Sequence, residues 1–413
     1  MSIPKSRTFD LVINDASIFD GSKVRTGTFS VGIDNGMIAA LSDEALNGSA
    51  TIDARGSWLS PGLIDSHVHM YDPMNVADEA SMSEYLDVAL PGHLRSFLEW
   101  GITTIKSVGD PVPELLEARR RLNAGECVGP RFLMTGFGIT SPGGHPTRTI
   151  YGRNPWYQQR AVGEATTAQD ARARVSEMAD LGMDAIKILY QGGCACQGEA
   201  EYKWHGQVPI LRLKRRPLEA AIDEAHRRGL KATVHTFEQS RVIEALEAGA
   251  DGVEHGVVGE IISDNRVFDL LLKNNASYVP TLWVYSTPEA HRNLALVRDA
   301  GARIALGTDS FSPTIKVEGI DAGRYGSNSI VEAERMVAAG LTPLEALRAA
   351  TGQAAVHLGR DDLGVIAEGK RADLVVLKSN PTVDISNLRS LQVVIANGRV
   401  VVDRRPASSK AGS

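Results

Sequence analysis

The sequence predicts an α/β protein: a (β/α)8 TIM barrel joined to a small β-sandwich domain built from both ends of the chain. Three observations predict it. Strand-like and helix-like segments alternate through the middle of the chain, the signature of repeated βα units on a parallel sheet. The strand-like segments of that region number eight. Short β-branched runs with turn signals fill the first sixty residues, stop at Pro61-Gly62 and reappear at the far end.

Taken in order, the first sixty residues read LVIND, SIFDG, FSVGID, MIAALS and TIDARG, punctuated at Asp20-Gly21 and Asn35-Gly36. Such dipeptides between β-branched runs are hairpin signals. ADLVVL and LQVVIANGRVVV, with a further Asn397-Gly398 signal, supply matching strands late in the chain, so the expected division is 1–60 with 358–413, and a barrel over 61–357. The expected barrel strands are 63–69, 103–108, 132–137, 185–190, 232–235, 252–255, 277–282 and 303–307. Between them lie helical patterns such as AQDARARVSEMADLG and QSRVIEALEAG, several closing on a glycine where a left-handed cap is expected. The stretch Cys194 to Pro217 lacks periodicity, and connections that long are usually binding loops or lids.

Length and composition allow this architecture. At 413 residues the chain exceeds a bare barrel of about 250, which leaves room for a second unit. Hydrophobic residues at 43% are enough to build a core. A net charge of −6 and the lack of a long basic run argue against nucleic acid; LRLKRR at 211–216 reads as a solvated loop. No run of 18 apolar residues and no apolar segment behind the first basic residues point to a soluble, unexported chain without a membrane partner. Cys127, Cys194 and Cys196 cannot form an all-paired framework and fit a reducing, cytoplasmic setting.

Polar groups at the C-terminal ends of barrel strands share one mouth, so the chemistry is sought there. The first strand ends in Asp65-Ser66-His67-Val68-His69, and strand alternation puts both histidines on one side, able to grip one metal. The fourth carries Lys187 inside Ala-Ile-Lys-Ile-Leu, where a bare ammonium needs a partner or a modification. The fifth, sixth and eighth end in His235, His255 and Asp309. Neutral imidazoles and a carboxylate are ligands for a hydrolytic divalent metal, zinc fitting best, with manganese, cobalt or iron able to substitute. One such histidine is commonly a packed core residue; four with an acid and a buried lysine, each at a strand end, resist that account.

The phrases PGLIDSHVH, VEHG, ALGTD and TGQAAVHLGRDDLGVIAEGKRADLVVL resemble the amidohydrolase superfamily over nearly the whole chain. DAIKIL, DEAHRRGLKATVH and GVEHG are similar to its binuclear, prolidase-like and imidazolonepropionase-related subgroup of dipeptidases and amidases. That resemblance implies two divalent metals, zinc foremost, and a Lys187 carboxylated by carbon dioxide that bridges them. His67, His69 and Asp309 would hold the more buried ion, and His235 and His255 the more exposed one. A hydroxide between the ions would attack a substrate carbonyl, with Asp309 carrying its proton to the leaving amine. Mononuclear deaminases of the superfamily lack this lysine. The resemblance also implies a homo-oligomer.

His145, in Gly143-Gly144-His145-Pro146, stands where relatives carry a histidine that polarises the substrate carbonyl; the plain alternative is a surface loop. Tyr190 is a candidate to hydrogen-bond the substrate or to pack as wall, and Trp283 and Tyr285 are candidates for an aromatic wall. Cys194 and Cys196 read as loop residues, His205 beside Trp204 as a possible pocket visitor, and His93, His226, His291 and His357 as surface or capping groups. The chain departs from the subgroup at His235-Thr236-Phe237-Glu238, where relatives have His-Ala-His-Gly, and at Tyr190-Gln191-Gly192-Gly193, so the pocket differs. The leading expectation is hydrolysis of an amide bond in a small N-acyl amino acid or dipeptide. A carbamate, lactone, cyclic amide or organophosphate ester would suit the same machinery. A non-catalytic binding or assembly relative is the remaining class, and retention of all six ligands argues against it.

Overall fold

The computed structural model describes residues 7–152, 154–194, 209–313 and 323–406. Cys196, Trp204 and His205 lie outside the described residues. Strands β1 (Thr8–Phe19), β2 (Val24–Asp34), β3 (Met37–Ser42), β4 (Asn47–Asp53) and β5 (Trp58–Pro61) come from the N-terminal end. The start of β1 and the first four residues of β3 alternate in burial, whereas β2 is largely exposed over its first half and buried over its second.

Two parallel sheets follow. One holds β6 (Leu63–Val68), β7 (Ile102–Ser107) and β8 (Arg131–Met134). The other begins with β9 (Gly138–Thr140), β10 (Val162–Glu164) and β11 (Ala185–Leu189). After the short antiparallel pair β12 (Gly193–Cys194) and β13 (Pro209–Ile210), it continues through β14 (Lys231–His235), β15 (Gly252–Glu254), β16 (Ser277–Val279) and β17 (Arg303–Ile304). Its order is β10-β9-β11-β14-β15-β16-β17. β6, β7 and β11 are buried at every position, as strands covered on both faces must be.

Backbone hydrogen bonds tie the two parallel sheets at both seams. Ser66 N donates to Leu306 O (3.0 Å), and His69 N to Ser310 O (2.7 Å). At the other seam Asp184 N donates to Met134 O (2.8 Å). The segment expected as one strand over 132–137 is instead broken, because Gly136 adopts a left-handed φ of 65° that no strand accommodates; β8 ends before it and β9 begins after it. Helices Ala168–Asp180, Arg215–Arg227, Gln239–Glu247 and Ser327–Ala338 occupy the expected patterns, and Gly182, Gly229, Gly249 and Gly340 follow them with positive φ.

The late strands β18 (Leu374–Leu377), β19 (Leu391–Ala396) and β20 (Arg399–Asp403) complete one eight-stranded sheet in the order β20-β19-β18-β5-β1-β2-β3, with β4 on β1. Its core mixes both ends of the chain: Ile13, Val31 and Leu59 pack with Leu374, Val393 and Ile395. The Asn-Gly turns behave as their chemistry requires, with Asn35 and Gly36 at φ 51° and 76°, and Asn397 and Gly398 at 49° and 75°. They also meet, since a Cβ on Gly36 would lie 2.9 Å from Asn397 O. No helix among the described residues is long and apolar enough to cross a membrane.

Candidate active site

The ends of β6, β11, β14, β15 and β17 deliver their polar groups to one cavity. His67, His69, His145, Lys187, His235, His255 and Asp309 all line it, with Tyr71, Ile150, Tyr151, Leu189, Val284, Tyr285 and Phe311 as an aromatic and aliphatic wall. Backbone strain aims three of the strand ends. His255 (φ 65°), Thr281 (φ 48°) and Asp309 (φ 60°) are left-handed without being glycine. For β-branched Thr281 this is a true outlier, and strain of this kind, roughly 1–3 kcal/mol per residue, persists where surrounding structure holds it at functional sites.

Each imidazole is fixed from behind. His67 donates from Nδ1 to Glu254 Oε2 at 2.7 Å, and His69 from Nδ1 to the Val108 carbonyl at 2.7 Å. His255 Nδ1 meets Thr281 Oγ1 at 2.8 Å, and His235 Nε2 donates to Gln191 Oε1 at 2.9 Å. His145 stacks on His235 with centroids 4.7 Å apart, its Nδ1 held by Thr149 Oγ1 at 2.7 Å.

These commitments leave lone pairs facing one another. Asp309 Oδ1 lies 3.2 Å from His67 Nε2 and 2.7 Å from His69 Nε2, although both rings already place a proton on the opposite nitrogen. Three electron-pair donors converging in a buried space suit a cation between them, and the ligand atoms of His67, His69 and Asp309 lie close enough together to hold one metal ion. Lys187 Nζ stands 3.5 Å from His67 Nε2 on the same side.

Electrostatics keeps the ring in its ligand form. Burial holds His235, His255 and His69 below the usual imidazole range, so all three are neutral at pH 7. Asp309 lies well below its ordinary carboxyl value although burial alone would raise it. Burial lowers Lys187 to about 8, with Glu254 and Asp309 opposing.

Two expectations are corrected. Tyr190 does not reach the cavity: its hydroxyl donates to Glu244 Oε2 at 2.6 Å and accepts from Arg212 Nη1 at 2.8 Å. Alternation along β11 is the reason, since Lys187 and Leu189 line the cavity and the next residue points away. His357 is no surface group; it is 4% exposed and accepts from Lys106 Nζ at 2.8 Å. Of the aromatic candidates Tyr285 lines the cavity, while Trp283 packs on Phe311 behind it. His226 sits at the surface against Asp251, and His291 beside Ser286. His93 is half-buried between Tyr85 and Tyr325.

Sequence reading missed Glu254, Lys106, Gln191, Thr281 and Asp110. Asp110, next to cavity-lining Gly109, accepts from Ser107 Oγ at 2.5 Å through Oδ1, while Oδ2 is buried with no partner among the described residues. Burial pushes this carboxyl up to about 7 from 3.8. The folded state therefore holds a proton that the unfolded chain has released, and stability falls as pH rises through that window. Asp110→Asn keeps the acceptor for Ser107 and removes the charge. Chemical denaturation of apo-protein is expected to show a gain of about 2–4 kcal/mol at pH 8 that shrinks toward zero near pH 4. A gain independent of pH would refute this account.

A family model described as "Amidohydrolase family" matches residues 58–401. Ochratoxinase of Aspergillus niger is 24% identical over 356 residues, covering 79% of this chain and 71% of that protein. Adenine deaminase 2 of Rhizobium meliloti is 28% identical over 407 residues, 95% of this chain and 57% of that protein. A solved structure of a Xaa-Pro dipeptidase with bound methionine in the active site superimposes with a TM-score of 0.77 at 26% identity, over 94% of this chain and 99% of that one.

Proposed function

The chain belongs to the amidohydrolase family and is an enzyme of it; from that premise we propose that it cleaves an amide bond in a small N-acyl amino acid or dipeptide, using two divalent metals. The observation that carries this reading is the convergence of four histidines, Asp309 and a buried lysine on one cavity. His67, His69 and Asp309 would hold one ion, His235 and His255 the other, and Lys187, carboxylated on Nζ by carbon dioxide, would bridge them. Zinc suits this set best. When bound, the ions supply Lewis-acid polarisation of the carbonyl and lower the pKa of water toward neutrality.

The residues supply the rest. Lys187 is the group that burial keeps partly as free amine, the form able to add carbon dioxide. Asp309 Oδ1 faces the same point as the Nε2 lone pairs of His67 and His69 and would join them on the ion, which leaves Oδ2 to accept the proton of the attacking water and return it to the leaving amine. His145, stacked on His235 at the cavity wall, would donate to the carbonyl oxygen. His145→Ala is expected to lower kcat by about 10²–10³ with metal content unchanged, the loss of one oxyanion donor; elemental analysis beside steady-state kinetics checks both.

We read the fold as a (β/α)8 barrel over 61–357 carrying a β-sandwich from 1–60 and 358–413. The hydrogen bonds from β6 to the segment after β17 support closure. A second reading concerns the leaving group. Among the described residues the cavity wall carries no arginine, and no lysine except Lys187, whereas its walls are aromatic and aliphatic. That lining favours an uncharged, apolar leaving group, as in an anilide or carbamate, over a free carboxylate.

The test is metal content of protein purified without chelator, together with hydrolysis of N-acyl amino acids, dipeptides, anilides and carbamates with and without chelator. About two metals per chain and chelator-sensitive amide cleavage support the reading. Two metals with carbamate or anilide cleavage alone select the second reading. One metal or none would overturn the Lys187 bridge.

A further inference from the structure

Behind the candidate metal centre lies a charged cluster whose members are set back from the cavity lining. Lys106 on β7 and Glu254 on β15 have side chains 3% and 0% exposed, and His357 closes the short helix Gly352–His357 at 2%. Glu254 accepts from His67 Nδ1 at 2.7 Å through Oε2, and from Lys106 Nζ at 3.3 Å and the Thr233 hydroxyl through Oε1. Lys106 Nζ also donates to His357 Nε2 at 2.8 Å, which leaves the His357 proton on Nδ1, an atom with no partner among the described residues. Room for that ring exists because residue 252 is glycine: a Cβ there would lie 2.7 Å from His357 Cε1.

A buried ion pair is a weak route to stability, since well-packed apolar residues of similar volume commonly do as well or better. The cluster reaches the ligand ring through its hydrogen bond to His67. A carboxylate on Nδ1 fixes the tautomer whose Nε2 lone pair faces the metal, and it makes that nitrogen a stronger donor. Lys106 donates to the far oxygen of that carboxylate and is itself held by His357, so the two fix the orientation in which Glu254 faces His67 Nδ1.

We propose that Lys106, Glu254 and His357 form a positioning relay that sets how tightly His67 holds its metal. The inference rests on His67 being a ligand. The test is the zinc dissociation constant of folded apo-protein, measured by competition with a chromophoric chelator, beside the apo-protein Tm. Glu254→Gln and Lys106→Met are each expected to weaken zinc binding by about 10–100-fold. The double variant should weaken it no further than Glu254→Gln alone, because Lys106 acts through the carboxylate. A purely structural role would lower apo Tm and leave zinc affinity at the wild-type value, which would overturn the proposal. Wild-type protein that binds no zinc would instead remove the ligand reading of His67. Should both variants fail to fold, long-range 1H–15N spectra of histidine-labelled wild-type apo-protein decide. His67 is expected as the Nδ1–H tautomer, and an Nε2–H tautomer there would overturn the relay.

Discussion

Lys187→Met is expected to give a folded, more stable and inactive protein. Methionine matches the length of the lysine stem and suits a site only 2% exposed. Burial lowers the ammonium from 10.5 to about 8, so below that pH the folded state carries a charge it disfavours relative to the unfolded chain. The penalty fades as pH rises toward 10.5, because the folded state releases its proton first. At about 1.4 kcal/mol per pH unit across that gap, the variant should gain roughly 3 kcal/mol of apo stability at pH 7 and almost nothing above about pH 11. Activity should move the other way, with kcat/KM falling by on the order of 10³-fold or more and bound metal from about two to at most one. Denaturation at several pH values, elemental analysis and kinetics read the three effects. Retained activity with two metals would remove the bridging role.

Asp309→Asn should abolish activity to a similar degree, on the order of 10³-fold or more, for a different reason. Asn replaces a carboxylate oxygen 2.7 Å from His69 Nε2 and 3.2 Å from His67 Nε2 with an amide that can turn its N–H groups toward both lone pairs. The apo-protein then satisfies internally the electron pairs that otherwise call for a cation. We expect an apo Tm near wild type, weakened zinc binding and no proton acceptor beside the attacking water. An Asp309→Asn protein that keeps wild-type zinc affinity would show that the carboxylate is not a ligand.

How much of this was legible beforehand differs from residue to residue. His67, His69, His235, His255 and Asp309 announce themselves because strand ends of a βα series share one mouth, so position along the chain becomes position in space. Lys187 was legible as a charge in an apolar run. Lys106, in Ile-Thr-Thr-Ile-Lys-Ser, carries the same signal inside a strand, where a search confined to strand ends passes over it, while Glu254 stands at the end of β15 beside the more conspicuous His255. Tyr190 could have been placed by counting two residues at a time from Lys187. His357 could not: its helical surroundings read as surface, and only the packing of a late helix against β6 and β17 carries the ring in against Lys106 and Gly252. The break at Gly136 is likewise a matter of one left-handed residue inside an otherwise strand-like run.

The sheet that joins the two ends of the chain also sets a schedule for synthesis. β5 ends at Pro61 and its partner β18 begins at Leu374, with β18 pairing along the whole of β5. At ribosomal speeds of about 5–20 residues per second, the intervening three hundred or so residues take roughly 15–60 s to emerge. Through that interval β5 exposes an apolar edge of the kind that pairs with other chains. Nascent protein is therefore most vulnerable to aggregation, and most dependent on chaperones, before its last strands leave the ribosome.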